Sequence, residues 1–210
     1  MGTYDSSKLS GLSGRIGPVV FYVTKNGKQV FRHYVKPTDP RTPAQRANRA
    51  RFGLANKSLS PLNNVIKRGH PGVPNAYRVA LGLACREAIA GEYPDYTFDY
   101  SKIQVASGGL PLPGDIRMEY HRRAREATFT WDPRLPDGLR TGKGNDRVFV
   151  VCFNTALPLE VKTLQRGFRS AGHASIPLPR KWRPAATCFW LYLTAYNFEN
   201  LSNSVFFALS

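Results

Sequence analysis

The sequence predicts an α+β fold that is mainly β: an N-terminal β-hairpin and two helices, followed by an immunoglobulin-like antiparallel β-sandwich. Seven short strand-like runs recur from residue 96 onward, divided by turn clusters such as "GGLPLPGD" and "DPRLPDG". Sixteen prolines and 18 glycines in 210 residues favour many short elements over long helices. An apolar fraction of 42%, with 12 Phe, 10 Tyr and 3 Trp, is enough to fill a core.

The hairpin is read from "GPVVFYVT-KNGK-QVFRHYV". Asn26-Gly27 is a dipeptide that supplies the positive φ angles of a two-residue turn, which would pair Val23 with Val30, Tyr22 with Phe31 and Phe21 with Arg32. One face would then carry Val19, Phe21, Val23, Val30 and Tyr34, and the other Val20, Tyr22, Phe31 and Val35. A hairpin lying on a single core would be apolar on one face only, so Phe21, Tyr22, Phe31 and Tyr34 are expected to form an interface on both faces.

"KPTDPRT" then enforces an extended connection, because a proline disfavours helix at the residue before it. Thr42 is a good N-cap and Pro43 a good first helical residue, which predicts a helix over 43–58. Helical periodicity gathers Arg46, Arg49 and Lys57 into one stripe. Ala47, Ala50 and Leu54 flank it, and Ala44, Phe52, Ala55 and Leu59 lie beyond. Arg51 falls between the apolar groups and must be paired, extended to solvent or at a contact. "NAYRVALGLACREAIAG" reads as a second, broadly apolar and therefore buried helix from Asn75 to Gly91.

The strand runs of the sandwich are "TFDYSKIQVAS", "IRMEYHRRA", "ATFTW", "RVFVVCFN", "EVKTLQRGFR", "TCFWLYLTAYN" and "SVFFALS". Trp190, inside "CFWLYL", is expected in the core, with Trp131 and Trp182 as core or edge aromatics. Cys85, Cys152 and Cys188 are odd in number and lie in apolar runs, the pattern of free thiols made in a reducing compartment. The N-terminus lacks the apolar core of a secretory signal, and no apolar run is long enough to span a bilayer.

The net charge of +16 is concentrated. Residues 6–86 carry fifteen Lys and Arg against a single acid, Asp39, a local net of +14, and the rest of the chain is nearly balanced at +2. Because the strand-like runs begin near residue 96, the chain is read as a basic interaction region, 1–95, and a sandwich domain, 96–210. Such a field attracts polyanions: nucleic acid, an acidic protein surface or anionic lipid. The residues expected to make polyanion or partner contacts are Arg15, Lys25, Lys28, Arg32, Arg41, Arg46, Arg49, Arg51 and Lys57, with Lys8 and Lys36 adding to the field.

Catalytic signatures are missing from the sequence. His33, His70, His121 and His173 are scattered, and none has a partner at metal-ligand spacing. "TGKGND" lacks the end of a phosphate-binding loop, and Asp132, Asp137 and Asp146 sit beside turn residues, where aspartate serves the backbone. The expectation is a non-enzymatic chain with no cofactor and no metal.

"LSGRIGPVVFYVTKNGKQVFRHYVKPTDPRTPAQRANRARFG" resembles an uncharacterised family of small proteins from Bacteroidetes genomes, phages and prophages. The matching positions are Ser13, Gly14, Arg15 and Gly17, then Asp39, Pro40, Arg41, Thr42, Gln45, Arg49 and Phe52. The C-terminal "ENLSNSVFFALS", with Ser202 and Ser204, is similar to that family's closing strand, with Phe206 in place of Tyr. The resemblance implies synthesis in a bacterial cytoplasm and a place in a virion or similar particle. Two functions follow as expectations: a structural or assembly protein that meets other subunits in a homo- or hetero-oligomer through its hairpin and first helix, or a sequence-nonspecific nucleic-acid-binding protein.

Overall fold

The strand-like runs of the C-terminal half pair into two antiparallel sheets in the computed structural model, which describes residues 2–3, 12–36, 38–134, 142–157 and 160–209. Lys8, Pro37 and Asp137 lie outside the described residues. The chain forms two units, Met1–Thr42 and Pro43–Ser210.

The first unit is a small antiparallel sheet of β1 (Gly2–Thr3), β2 (Gly14–Ile16), β3 (Val19–Val23) and β4 (Gln29–His33), in the order β1-β4-β3-β2. The hairpin register is one residue away from the two-residue expectation: Val23 faces Gln29, Tyr22 faces Val30 and Phe21 faces Phe31. Only Gly27 takes a positive φ, +74°, whereas a two-residue turn of the expected type needs one at Asn26 as well. The connection is instead three residues, 25–27, closed by Thr24. Its N–H donates to the Lys28 carbonyl at 2.9 Å and its carbonyl accepts from Gly27 N–H at 2.9 Å.

The second unit begins with α1 (Pro43–Leu59), α2 (Asn63–Gly69) and α3 (Ala76–Glu87), then a short hairpin of β5 (Ile89–Ala90) and β6 (Thr97–Phe98). α2 lies in the stretch read from sequence as a connection. The sandwich follows: β7 (Gly114–His121), β8 (Glu126–Asp132), β9 (Arg147–Asn154), β10 (Val161–Phe168), β11 (His173–Pro177), β12 (Thr187–Thr194) and β13 (Val205–Ala208). One sheet has the order β10-β9-β12-β13 and the other β11-β8-β7. Because the chain crosses between sheets after β8, β10 and β11, this is an immunoglobulin-like sandwich of four strands on three. The first expected strand contributes only β6 before turning into a 3-10 segment, Tyr100–Lys102, and β11 ("HASIP") was not foreseen.

The four-stranded sheet is covered on both faces. Cys188, Trp190 and Tyr192 of β12 and Val151 and Phe153 of β9 pack with Leu59, Leu62, Val65 and Ile66 of the helical layer. The alternate residues Phe189, Leu191, Leu193, Val148, Val150 and Cys152 pack with Phe129, Trp131 and Ile176 of the other sheet. That is why all eight residues of β12 are buried and why its sequence is nearly continuous in apolar residues. Helices and strands thus share a core, and packing divides the chain at 42/43, whereas the onset of strand-like runs divides it near 95.

All three tryptophans are buried and each indole N–H has an acceptor: Trp131 gives to the Arg169 carbonyl (2.7 Å), Trp182 to Glu160 Oε2 (2.8 Å) and Trp190 to the Ile103 carbonyl (2.9 Å). The segment 103–110 threads between helices and sheet so closely that a Cβ on Gly69 would lie 2.0 Å from the Val105 carbonyl oxygen, and one on Gly108 2.1 Å from that of Leu201.

Candidate interaction surfaces

Within the first unit, cross-strand pairing sorts the side chains into two faces. Ile16, Val19, Phe21, Val23 and Phe31 share one, and the Phe21 and Phe31 rings lie 6.1 Å apart. Arg15, Val20 and Arg32 form a row across three strands on the other, beside Tyr22 and Val30. The Arg15 guanidinium sits 3.8 Å over the ring of Tyr34. The expected grouping of Phe21 with Tyr34 and of Tyr22 with Phe31 is therefore exchanged: Phe21 goes with Phe31, and Tyr22 lies on the opposite face with Val30. The cause is the one-residue difference in register, which moves every side chain of one strand to the other face. Both faces carry apolar side chains, with Arg15 and Arg32 interrupting the second.

Of the described residues 12–36, only Val30 is buried. Ile16, Val23 and Val35 are 56%, 54% and 75% exposed. Lys25, Lys28 and Arg32 are also exposed, the two lysines at the tip. Arg41, with φ +49°, places its Nε 3.8 Å from Asp39 Oδ2.

In the second unit, α1 turns Arg46, Arg49 and Lys57 to solvent as the periodicity predicts, while Ala55 and Leu59 are buried. Arg51 is half-buried and donates from Nη2 to the Cys85 carbonyl at 2.7 Å, at the end of α3, where exposed carbonyls favour a cation. Beside it, Arg49, Arg51 and Arg86 line a groove of about 580 Å³ between α1 and α3, floored by Phe52, Gly53 and Gly82. No carboxylate is among the described residues that line it.

α3 is packed on one side only, contrary to the expectation of a buried helix. Ala76, Leu81 and Ala84 are buried, whereas Val79 and Leu83 are 50% and 43% exposed. With Val73, 43% exposed, they border a second groove of about 470 Å³ whose charged lining residues are Glu87, at the end of α3, and Lys102. Charge changes sign here. Residues 87–99 hold Glu87, Glu92, Asp95 and Asp99 and no Lys or Arg. The Asp99 carboxylate accepts from Ser101, which holds it below the ordinary carboxylate range.

The titratable groups of the sandwich serve the fold. Asp146 Oδ2 accepts from the backbone N–H of Lys143 (2.8 Å) and from Nε of the fully buried Arg169 (3.1 Å). Asp132 accepts from Arg134 N–H at 2.9 Å, the backbone role expected of it. Burial pushes the Cys152 and Cys188 thiols up to about 12. All three cysteines are free, and among the described residues no His, Cys, Asp or Glu cluster is placed to hold a metal ion. No helix of the described residues is long and apolar enough to cross a membrane.

Together these features define a mainly β protein: an immunoglobulin-like sandwich with a helical layer, carrying a separate basic β-arm. The chain belongs to the family of unknown function DUF6266, which matches residues 11–208. No curated protein matches it. Among solved structures it is similar to the fn3 domain of human collagen alpha-1(XX) chain, at 12% identity over 49% of this chain and 86% of that one, with a TM-score of 0.35. A structure described as a myokine is similar at 12% identity over 48% of this chain and 98% of that one, with a TM-score of 0.33.

Proposed function

We propose that the chain is a non-enzymatic structural or assembly protein, a component of a phage-like particle, whose N-terminal β-arm makes the contacts to neighbouring subunits. One observation carries this reading: residues 12–36 carry apolar side chains on both faces of a small sheet, and of them only Val30 is buried. Exposed apolar surface of this kind marks a contact face. Full-length protein is expected to sediment as a species larger than its 23.5 kDa monomer. Ile16→Asp/Val23→Asp, at exposed positions, should weaken that association at least about tenfold, or 1.4 kcal/mol. A chain that stays monomeric at every concentration in sedimentation velocity rejects the reading.

The α1/α3 groove favours a second reading, nonspecific nucleic-acid binding, because three arginines, Arg49, Arg51 and Arg86, converge on it. Each phosphate contact would steepen the fall of log affinity against log salt by about 0.7–0.9. Arg49→Ala/Arg86→Ala should therefore flatten the slope by about 1.5 in fluorescence anisotropy with labelled oligonucleotides. A slope unchanged by this double substitution removes the groove from nucleic-acid contact.

A further inference from the structure

We infer that the β-arm of one copy docks along the apolar groove on α3 of a second copy, with its basic tip against the acidic segment that follows α3; this rests on the assembly reading and names its receiving surface. Two surfaces of the chain complement each other in both apolarity and charge. The arm, residues 12–36, holds five Lys and Arg and no acid, with Lys25 and Lys28 exposed at its tip and Ile16 and Val23 exposed on one face. Along α3, Val79, Leu83 and Glu87 follow one another at helical spacing of four, so the exposed apolar stripe runs directly into the acidic segment. Beyond Glu87, the tip of the β5–β6 hairpin presents Glu92, Asp95 and a 47% exposed Tyr93.

The acids at this end are not engaged elsewhere. Glu87, Glu92 and Asp95 have no ion pair or side-chain hydrogen bond among the described residues, unlike Asp39, Asp132, Asp146 and Glu160. Apolar contact would supply the adhesion. The opposite charges would set orientation and speed encounter, and would suppress pairing of two arms or two grooves. An arm-to-groove contact joins different patches on the two copies, so it is heterologous and closes into a ring or continues as a filament. Repeated contacts of that kind build a particle.

Charge exchange tests it in the full-length protein, with sedimentation velocity and light scattering as readouts and tryptophan fluorescence confirming folding. Lys25→Glu/Lys28→Glu makes the arm tip acidic, and Glu92→Lys/Asp95→Lys makes the groove edge basic. Each variant alone should associate at least tenfold more weakly than wild type, and so should Leu83→Lys. An equimolar mixture of the two charge variants should assemble again, because each basic arm then finds an acidic groove and each acidic arm a basic one. One chain carrying all four substitutions should also recover. If the arm variants weaken assembly while the groove-edge and Leu83 variants leave it unchanged, the inference is overturned and the assembly reading stands. Recovery in neither the mixture nor the quadruple variant also overturns it. A wild-type monomer overturns both.

Discussion

Replacing Asp146 with alanine is expected to destabilise the Pro43–Ser210 unit by about 3–5 kcal/mol, because it strands a buried guanidinium. The Arg169 side chain is 0% exposed and its Nε meets Asp146 Oδ2 at 3.1 Å, with the carboxylate 3% exposed. Nη2 donates to the Pro111 carbonyl, and Nη1 has no partner among the described residues. Asp146 is therefore the only counter-charge given to this arginine among the described residues. The backbone depends on the same pair, since Arg169 N–H donates to the Asp146 carbonyl at 2.8 Å and Trp131 donates to the Arg169 carbonyl. The pair links the turn before β9 to the turn after β10. All three tryptophans lie in the sandwich, so urea unfolding followed by fluorescence reports on this unit. Adding Arg169→Met removes the stranded charge, and Asp146→Ala/Arg169→Met should be more stable than Asp146→Ala alone. A single-variant loss below about 1 kcal/mol, the scale of an exposed pair, would show that water reaches the site.

The strands were legible where apolar residues alternate between turn signals, as in "ATFTW" and "RVFVVCFN", because a sheet with a core on one face writes that period into its sequence. β12 was legible for the opposite reason, a continuous apolar run covered on both faces. β11 escaped because "HASIP" is short and mixed, and only pairing with β8 makes it a strand. The run from Thr97 was taken for a longer strand because its apolar residues, Ile103, Val105 and Ala106, are buried. Their backbone is satisfied by side chains and loops, however, and sequence periodicity does not record that.

Of the candidate surface, the concentration of charge was legible and its geometry was not. A single extra residue in the hairpin turn exchanged the partners of Phe21 and Tyr22, which no count of apolar residues could reveal. The partner of Arg51 lies 34 residues away at Cys85. The acidic segment begins at Glu87, directly after the last arginine of the basic stretch 6–86 and inside the region 1–95 read as basic. The signal that would have found the receiving surface is that reversal of sign, set against the exposed Val79 and Leu83 that only the packing of α3 discloses.

Ser202→Ala/Ser204→Ala should cost about 2–6 kcal/mol, taking about 1–3 kcal/mol for each hydroxyl whose loss leaves buried N–H groups without an acceptor. The two serines of the closing motif stand in for backbone at the end of the sandwich. Ser202, fully buried, accepts from Leu193 N–H at 2.8 Å and donates to the Asn203 carbonyl at 2.9 Å. Ser204 accepts from Val105 N–H at 3.0 Å and Ala106 N–H at 3.4 Å, while its own N–H donates to the Ala106 carbonyl at 3.0 Å. This ties β13 to the threading segment whose Ile103 carbonyl receives the Trp190 indole, so the C-terminal strand holds both cores together. The motif is on this account a fold element, and a mere partner-binding role predicts something different. The double variant should lose stability in urea while any assembly surviving below its transition keeps wild-type affinity. Unchanged stability with weakened association would instead place Ser202 and Ser204 in an interface, which the burial of Ser202 and the hydrogen bonds of both argue against.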